Sequence, residues 1–234
     1  MSRTGTIARA LAVIAAGTAG AYGAYAVAAW YRYGRPTAAG PDDRDDLLDG
    51  FIPVAEVVDR HAVQVAAPAA LTLVAAREAD LGSSLVIRAM FATRARLLGA
   101  RDGGLAPAGG LIAQLQSSGW AVLADVPGRE IVLGTVTRPW EADVRFRAVP
   151  SAAFAGFDEP GYVKIAFSLR VDALGPDACR LRTETRAATT DARARRIFRR
   201  YWAAFSAGIH LIRPLLLNGA RREAERRARE SSSP

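Results

Sequence analysis

Few residues in this chain are equipped to do chemistry. There are two histidines, His61 and His210, and one cysteine, Cys179. They form no cluster with metal-ligand spacing. His61 is expected on a strand and His210 on the polar side of the last helix, with no metal and no cofactor. A single cysteine excludes an internal disulfide. Ser83, Ser84, Ser117 and Ser118 stand in loop or helix-start contexts without the Gly-x-Ser-x-Gly elbow of an activated serine. Asp125, Asp143, Asp158, Glu159 and Glu184 supply carboxylates, but nothing in their spacing brings two together, so they are expected at the surface. The glycine-rich stretch Arg101 to Gly110 has neither the Gly-Lys-Ser/Thr of a phosphate loop nor the Gly-x-Gly-x-x-Gly of a dinucleotide turn, and reads as a connection. No catalytic residue is expected.

Two larger groups of residues bear on binding. The aromatic side chains from Phe91 to Phe205 either line a pocket or fill a core. The net charge of +8 falls entirely between Ala192 and Glu230, where eleven arginines meet three glutamates. Such a segment is a solvated outer face, a contact for anionic lipid headgroups or a nucleic-acid surface. Beside a membrane tether the lipid reading leads, through Arg221, Arg222, Arg226 and Arg227. Nucleic acid is not expected as a partner, because neither a stacking platform nor a reading helix is evident.

The elements that must position these residues begin with a long uncharged run. Ala10 to Tyr31 carries no charge over 22 residues; as a helix it covers ~33 Å, against a hydrocarbon core of ~30 Å. Arg3 and Arg9 precede it, and Trp30, Tyr31, Arg32, Tyr33 and Arg35 follow it, as at a membrane interface. The expectation is a single-pass protein of the cell membrane: a tail over 1–9, a transmembrane anchor over 10–31, a linker over 32–52 and one domain over 53–230. The alanine and glycine content of the run leaves a cleaved signal peptide and a buried helix as alternatives. The flanking arginines do not fix the side of the membrane.

Beyond the linker, Val57 to Val65 reads as a strand that hands over at Pro68 to helices over Ala69–Ala79 and Ser83–Leu98. Trp120–Val126 and Glu130–Thr137 form a hairpin about Pro127-Gly128, the pair that suits a type II turn. Val163 to Val171 and Cys179 to Ala188 alternate as half-buried antiparallel strands. A last helix starts at Thr190-Asp191. Its apolar stripe runs through Ile197, Tyr201, Phe205, Ile212, Leu215 and Leu216, with a proline kink from Pro214 near His210.

At Val65-Ala66-Ala67-Pro68, Ser117-Ser118-Gly119-Trp120, Pro127 to Gly134, Phe157 to Tyr162, Thr183-Glu184-Thr185-Arg186 and Arg199-Arg200-Tyr201-Trp202 the sequence resembles bacterial members of the START-like (SRPBCC, Bet v 1-like) superfamily. The likeness covers about Val57 to Glu225. It implies an α+β helix-grip fold, a curved antiparallel sheet wrapped around a long C-terminal helix, with an internal cavity for an apolar ligand. Phe91, Trp120, Leu133, Trp140, Phe154, Phe157, Ile165, Phe167, Tyr201 and Phe205 are the residues expected to line it. The leading expectation is a membrane-anchored, non-enzymatic domain that binds a lipid or other hydrophobic small molecule. A cyclase- or hydrolase-like enzyme, with ionisable residues converging in the cavity, and an interaction protein acting through the basic helix are the alternatives.

Overall fold

A computed structural model describes residues 3–80, 82, 84–100 and 109–231. Ser83 and residues 101–108 of the glycine-rich connection lie outside the described residues, as does the side chain of Phe91. The sequence alternation becomes five main strands: β1 (Val57–Val65), β2 (Ala121–Val126), β3 (Glu130–Thr137), β5 (Val163–Gly175) and β6 (Ala178–Thr189). They pair antiparallel in the order β1-β6-β5-β3-β2, and the two-residue β4 (Phe146–Arg147) adds to β3. The β2–β3 hairpin turns at Pro127-Gly128, with Gly128 at φ 72°, where a side chain would be strained.

Side chains alternate across a sheet, so the register defines two faces. The inner face carries Asp59, His61, Val63 and Val65 of β1, Leu181, Thr183 and Thr185 of β6, Phe167 and Leu169 of β5, and Ile131 and Leu133 of β3. Across it lies α7 (Ala192–Ser231). Asp191 starts that helix by accepting the amides of Arg193 at 2.6 Å and Ala194 at 2.8 Å. Leu216, Leu217, Ala220 and Ala224 of α7 close one half of the inner face, together with α3 (Ala69–Arg77) and α5 (Leu111–Ser117). Phe198, with Tyr201 and Trp202, closes the other half against Val57, Val163 and Ala187. Leu217 is buried, whereas Leu215 of the expected stripe is 38% exposed. The outer face buries Val132, Val136 and Ala166 under Leu48, Ile52 and Phe154. Gly134 admits that packing: a Cβ there would lie 2.8 Å from the Phe154 ring. This is the α+β helix-grip arrangement.

Two expectations about the N-terminal part are corrected. The run Ala10 to Tyr31 is helical, inside α1 (Arg3–Arg32), but among the described residues no helix is long and apolar enough to cross a membrane. The anchor and the single-pass location in the cell membrane are therefore withdrawn. Alanine and glycine give the run its length without charge, but they contribute too little apolar surface. The C-terminal end of α1 packs on α7 instead. Tyr22 Oη donates to the Ala204 carbonyl, Tyr25 Oη lies 2.9 Å from Ser206 Oγ, and Arg199 donates to the Trp30 carbonyl at 3.0 and 2.9 Å with its guanidinium 4.1 Å from the Trp30 ring.

The supposed linker over 32–52 is also structured. Tyr33 is buried edge-on against Phe198, 5.8 Å between ring centres. Asp45 caps α2 (Asp46–Phe51) by accepting the Leu48 amide at 2.9 Å, and Leu48 and Ile52 are buried. A six-residue helix inside an acidic run is too short to show a helical period in sequence.

Candidate functional site

Residues two apart on a strand share a face, so the inward run of β1 places Asp59 and His61 between valines. Thr185 and Thr183 stand opposite them on β6. His210 of α7 brings Nδ1 to 2.8 Å from Asp59 Oδ1, and His61 Nε2 lies 3.0 Å from the same oxygen. An ionised carboxylate only accepts hydrogen bonds. His210 therefore donates to Asp59 from Nδ1, and His61 donates from Nε2. The Trp202 indole meets the His210 ring edge-on at 5.6 Å. Three residues further along α7, the guanidinium of Arg213 lies 4.5 Å from the centre of the Phe167 ring, and Phe167 is the β5 neighbour of Thr185. Pro214 lacks the amide that would bond the His210 carbonyl, which loosens α7 at this level.

Asp59 is 6% exposed. Burial works to raise its carboxyl, but the hydrogen bond from His210 and the charges of His210, His61 and Arg213 together outweigh it and hold the group below its ordinary value. Burial pulls the Arg213 guanidinium down, to about 10, against the opposing pull of Asp59. Of the eight buried side-chain atoms left without a hydrogen-bond partner among the described residues, four belong to this neighbourhood: Asp59 Oδ2, Thr183 Oγ1, Thr185 Oγ1 and Arg213 Nε. A buried polar atom left unpaired costs about 1–3 kcal/mol. Such a concentration makes sense where a partner other than the protein's own side chains meets these residues. Asp59, His61 and His210 also offer one ligand atom each, all within 4.8 Å of one another.

The residues expected to line one cavity divide among three clusters. Leu133 and Phe167 lie in the inner-face core, with Trp120 packed against it. Trp140, Ile165 and Tyr201 belong to the inner cluster under the first half of α7, and Phe205 stacks on Tyr201 at 5.0 Å. Phe154 and Phe157 pack on the outer face, so they do not face the grip. Phe154 belongs to α6 (Ser151–Phe154) and Phe157 follows it, and no strand alternation there assigns a face. Phe91 lies on α4 (Leu85–Leu98) with its side chain outside the described residues. A cleft of about 400 Å³ opens beside the first turns of α7, bounded by Trp140, Pro160, Gly161 and Ile197. Of the basic set, Arg226 pairs with Glu223 and Glu230, and Arg227 pairs with Glu223 and Glu78. Arg222 is exposed and Arg221 half-buried.

A second polar concentration lies on the outer face. Glu184 accepts from Arg60 at 2.7 Å and from Arg186 at 2.6 Å, and Arg186 also bonds Asp49 at 2.5 Å and the Ile52 carbonyl at 3.0 Å. Arg182 pairs with Asp172 at 2.8 Å and Arg180 with Asp43 at 3.1 Å. Of these, Asp43, Arg60, Arg180, Arg182 and Glu184 line a cleft of about 140 Å³. Ser168 donates to Asp45 at 3.0 Å. Beside Asp45, burial first, and then the hydrogen bond and charge of Asp45, push the Glu130 carboxyl up to about 8. Of the other carboxylates noted in the sequence, Asp125 pairs with Arg77 and Glu159 with Arg147 at 2.6 Å.

The sequence singles out neither Asp59 nor Arg213. The signal for Asp59 is its two-residue spacing from His61 within a strand that is otherwise apolar on that face.

No family model matches this chain, and no curated protein matches it. Among solved structures it is similar to the Zhui aromatase/cyclase from Streptomyces sp. R1128, with 14% identity over 76% of this chain and 99% of that one, at a TM-score of 0.33. It is also similar to the hypothetical protein jhp0584 from Helicobacter pylori, with 10% identity over 80% and 98% at a TM-score of 0.38. Ara h 8.0201 matches with 11% identity over 68% and 98% at a TM-score of 0.20. At these values the likeness carries no argument about the site, which rests on its own geometry.

Proposed function

We propose that the chain binds a small molecule that is apolar over most of its length and carries one polar group able both to donate and to accept hydrogen bonds. The polar group meets Asp59, Arg213, Thr183 and Thr185. The apolar part lies along the inner face beneath Tyr201 and Phe205. What supports this reading is the set of four buried, unpartnered polar atoms at the middle of an otherwise apolar interior. Asp59 Oδ2 accepts from the ligand, while Arg213 Nε and the two hydroxyls donate to it. Organic extraction of the purified chain followed by mass spectrometry recovers such a molecule. An extract without one, from a chain that also fails to bind the amphipathic probe 8-anilinonaphthalene-1-sulfonate, overturns the reading.

A second reading, a hydrolase- or cyclase-like enzyme, is favoured by one observation: Asp59 orients the His210 ring through Nδ1, so that Nε2 is the nitrogen left to exchange a proton with a substrate. Turnover of a p-nitrophenyl ester that falls ~100-fold or more in His210→Gln, with the fold intact, selects this reading; equal turnover in parent and variant rejects it.

A further inference from the structure

Hydrogen bonding does not exhaust what Asp59, His61 and His210 are arranged to do. Two imidazole nitrogens and one carboxylate oxygen, from opposite layers of the fold, converge on one point. His61 Nε2 and His210 Nδ1 lie 3.0 and 2.8 Å from Asp59 Oδ1, with all three atoms within 4.8 Å of one another. Zinc takes imidazole nitrogen and carboxylate oxygen at ~2.0–2.2 Å. A tetrahedral arrangement of such bonds separates neighbouring ligand atoms by ~3.0–3.5 Å. The two spacings to Asp59 Oδ1 need to open by only a few tenths of an ångström, and the spacing between the imidazoles, within 4.8 Å, is to settle into the same range.

We propose that Asp59, His61 and His210 form a site for a divalent transition-metal ion of the zinc or ferrous class, with an open coordination position beside Arg213; the ion replaces the two N–H protons directed at Asp59, which pass to solvent or to the outer ring nitrogens. Three protein ligands with an open position are the pattern of a reactive site rather than of a closed structural one. Asp59 and His61 are fixed by strand pairing, two residues apart on one face, and the Trp202 ring packs against His210. The His210 side chain is 39% exposed, which gives the ion a way in. The charge of Arg213 opposes a second cation here, so the open position takes an anion: hydroxide, or an acidic group of a ligand. The site needs no organic ligand to form, and metal alone is its probe.

The chain has just two histidines, so untagged protein gives a direct readout. On titration with Zn²⁺ at neutral pH, the ring resonances of His61 and His210 shift together and saturate at one equivalent per chain. Co²⁺ in place of Zn²⁺ develops the visible absorption of a low-coordinate nitrogen- and oxygen-ligated centre. His61→Ala and His210→Ala each weaken binding by more than ~100-fold, because losing even a supporting partner of a metal ligand costs ~10- to 100-fold. Arg213→Gln tightens it. Zinc that shifts neither imidazole, or only one of them, overturns the proposal, and that result is read from the unaltered chain whether or not the variants fold.

Discussion

On the outer face of the sheet, the side chains of Arg186 and Glu184 are only 5% and 7% exposed, and each is answered: Arg186 by Glu184 and Asp49, Glu184 by Arg60 and Arg186. On the inner face Asp59 is buried to the same degree, yet Oδ2 has no protein partner, and neither do the hydroxyls of Thr183 and Thr185 beside it. The two regions lie on opposite sides of the same strands, β1 and β6. The Arg186–Glu184 pair is answered on both sides and ties the segment around α2 to the sheet; the inner centre retains bonding capacity at four buried atoms, where the outer face leaves one, Glu130 Oε1. Buried polarity alone therefore does not mark a functional site. What separates the two is whether the buried groups are already satisfied by their own neighbours.

That comparison predicts opposite responses to substitution. The largest effect falls on the outer face. Arg186→Ala leaves Glu184 buried with half its partners and is expected to lower the unfolding free energy by about 3–5 kcal/mol in urea titration. A loss below 1 kcal/mol would mean that the network does not hold α2.

Next comes Glu130→Gln, which imitates the protonated carboxyl. A carboxyl raised from 4.5 to about 8 keeps its proton in the folded chain and releases it in the unfolded one. Stability therefore falls as pH rises through that window and is greatest below it. The variant should flatten this slope and be more stable than the parent by about 2 kcal/mol at pH 9, with little difference at pH 4. A parent whose stability is level from pH 5 to 9 would contradict a Glu130 carboxyl raised by burial and by Asp45.

On the inner face the sign reverses. Thr183→Val with Thr185→Val removes two unpartnered hydroxyls and should raise the unfolding free energy by about 1–2 kcal/mol. The smallest effect belongs to the exposed end of α7, where Arg226→Ala breaks solvent-screened pairs with Glu223 and Glu230 and leaves the urea midpoint essentially where the parent has it.

Much of the fold was legible because its signals are local. Strict alternation marks β5 and β6, Pro127-Gly128 marks the hairpin, and Asp191 with the apolar stripe after it marks α7. The N-terminal run was legible as a helix but misleading as a membrane span, because an absence of charge is visible residue by residue while insufficient apolar surface emerges only over the whole run. α2 was hidden by its shortness and its acidic surroundings.

The site was half legible. His61 and Asp59 share a face by their two-residue spacing, a strand-level fact. His210 comes from a position 151 residues away from Asp59, on the margin of a helix crowded with arginines. Its place at the inner centre is set by how α7 seats on the sheet, which no local pattern encodes. The same reason explains why the expected cavity residues split between faces: aromatic type says that a side chain is buried, not against which side of a sheet.

The claim that the inner centre is kept open for a ligand is tested most directly by titrating 8-anilinonaphthalene-1-sulfonate into three chains: the parent, Thr183→Val/Thr185→Val and the outer-face variant Arg60→Gln. The account predicts that the inner variant binds the probe at least ~10-fold more weakly, a difference of about 1.4 kcal/mol, while Arg60→Gln binds as the parent does. Equal affinity in all three chains, or a loss confined to Arg60→Gln, would contradict it.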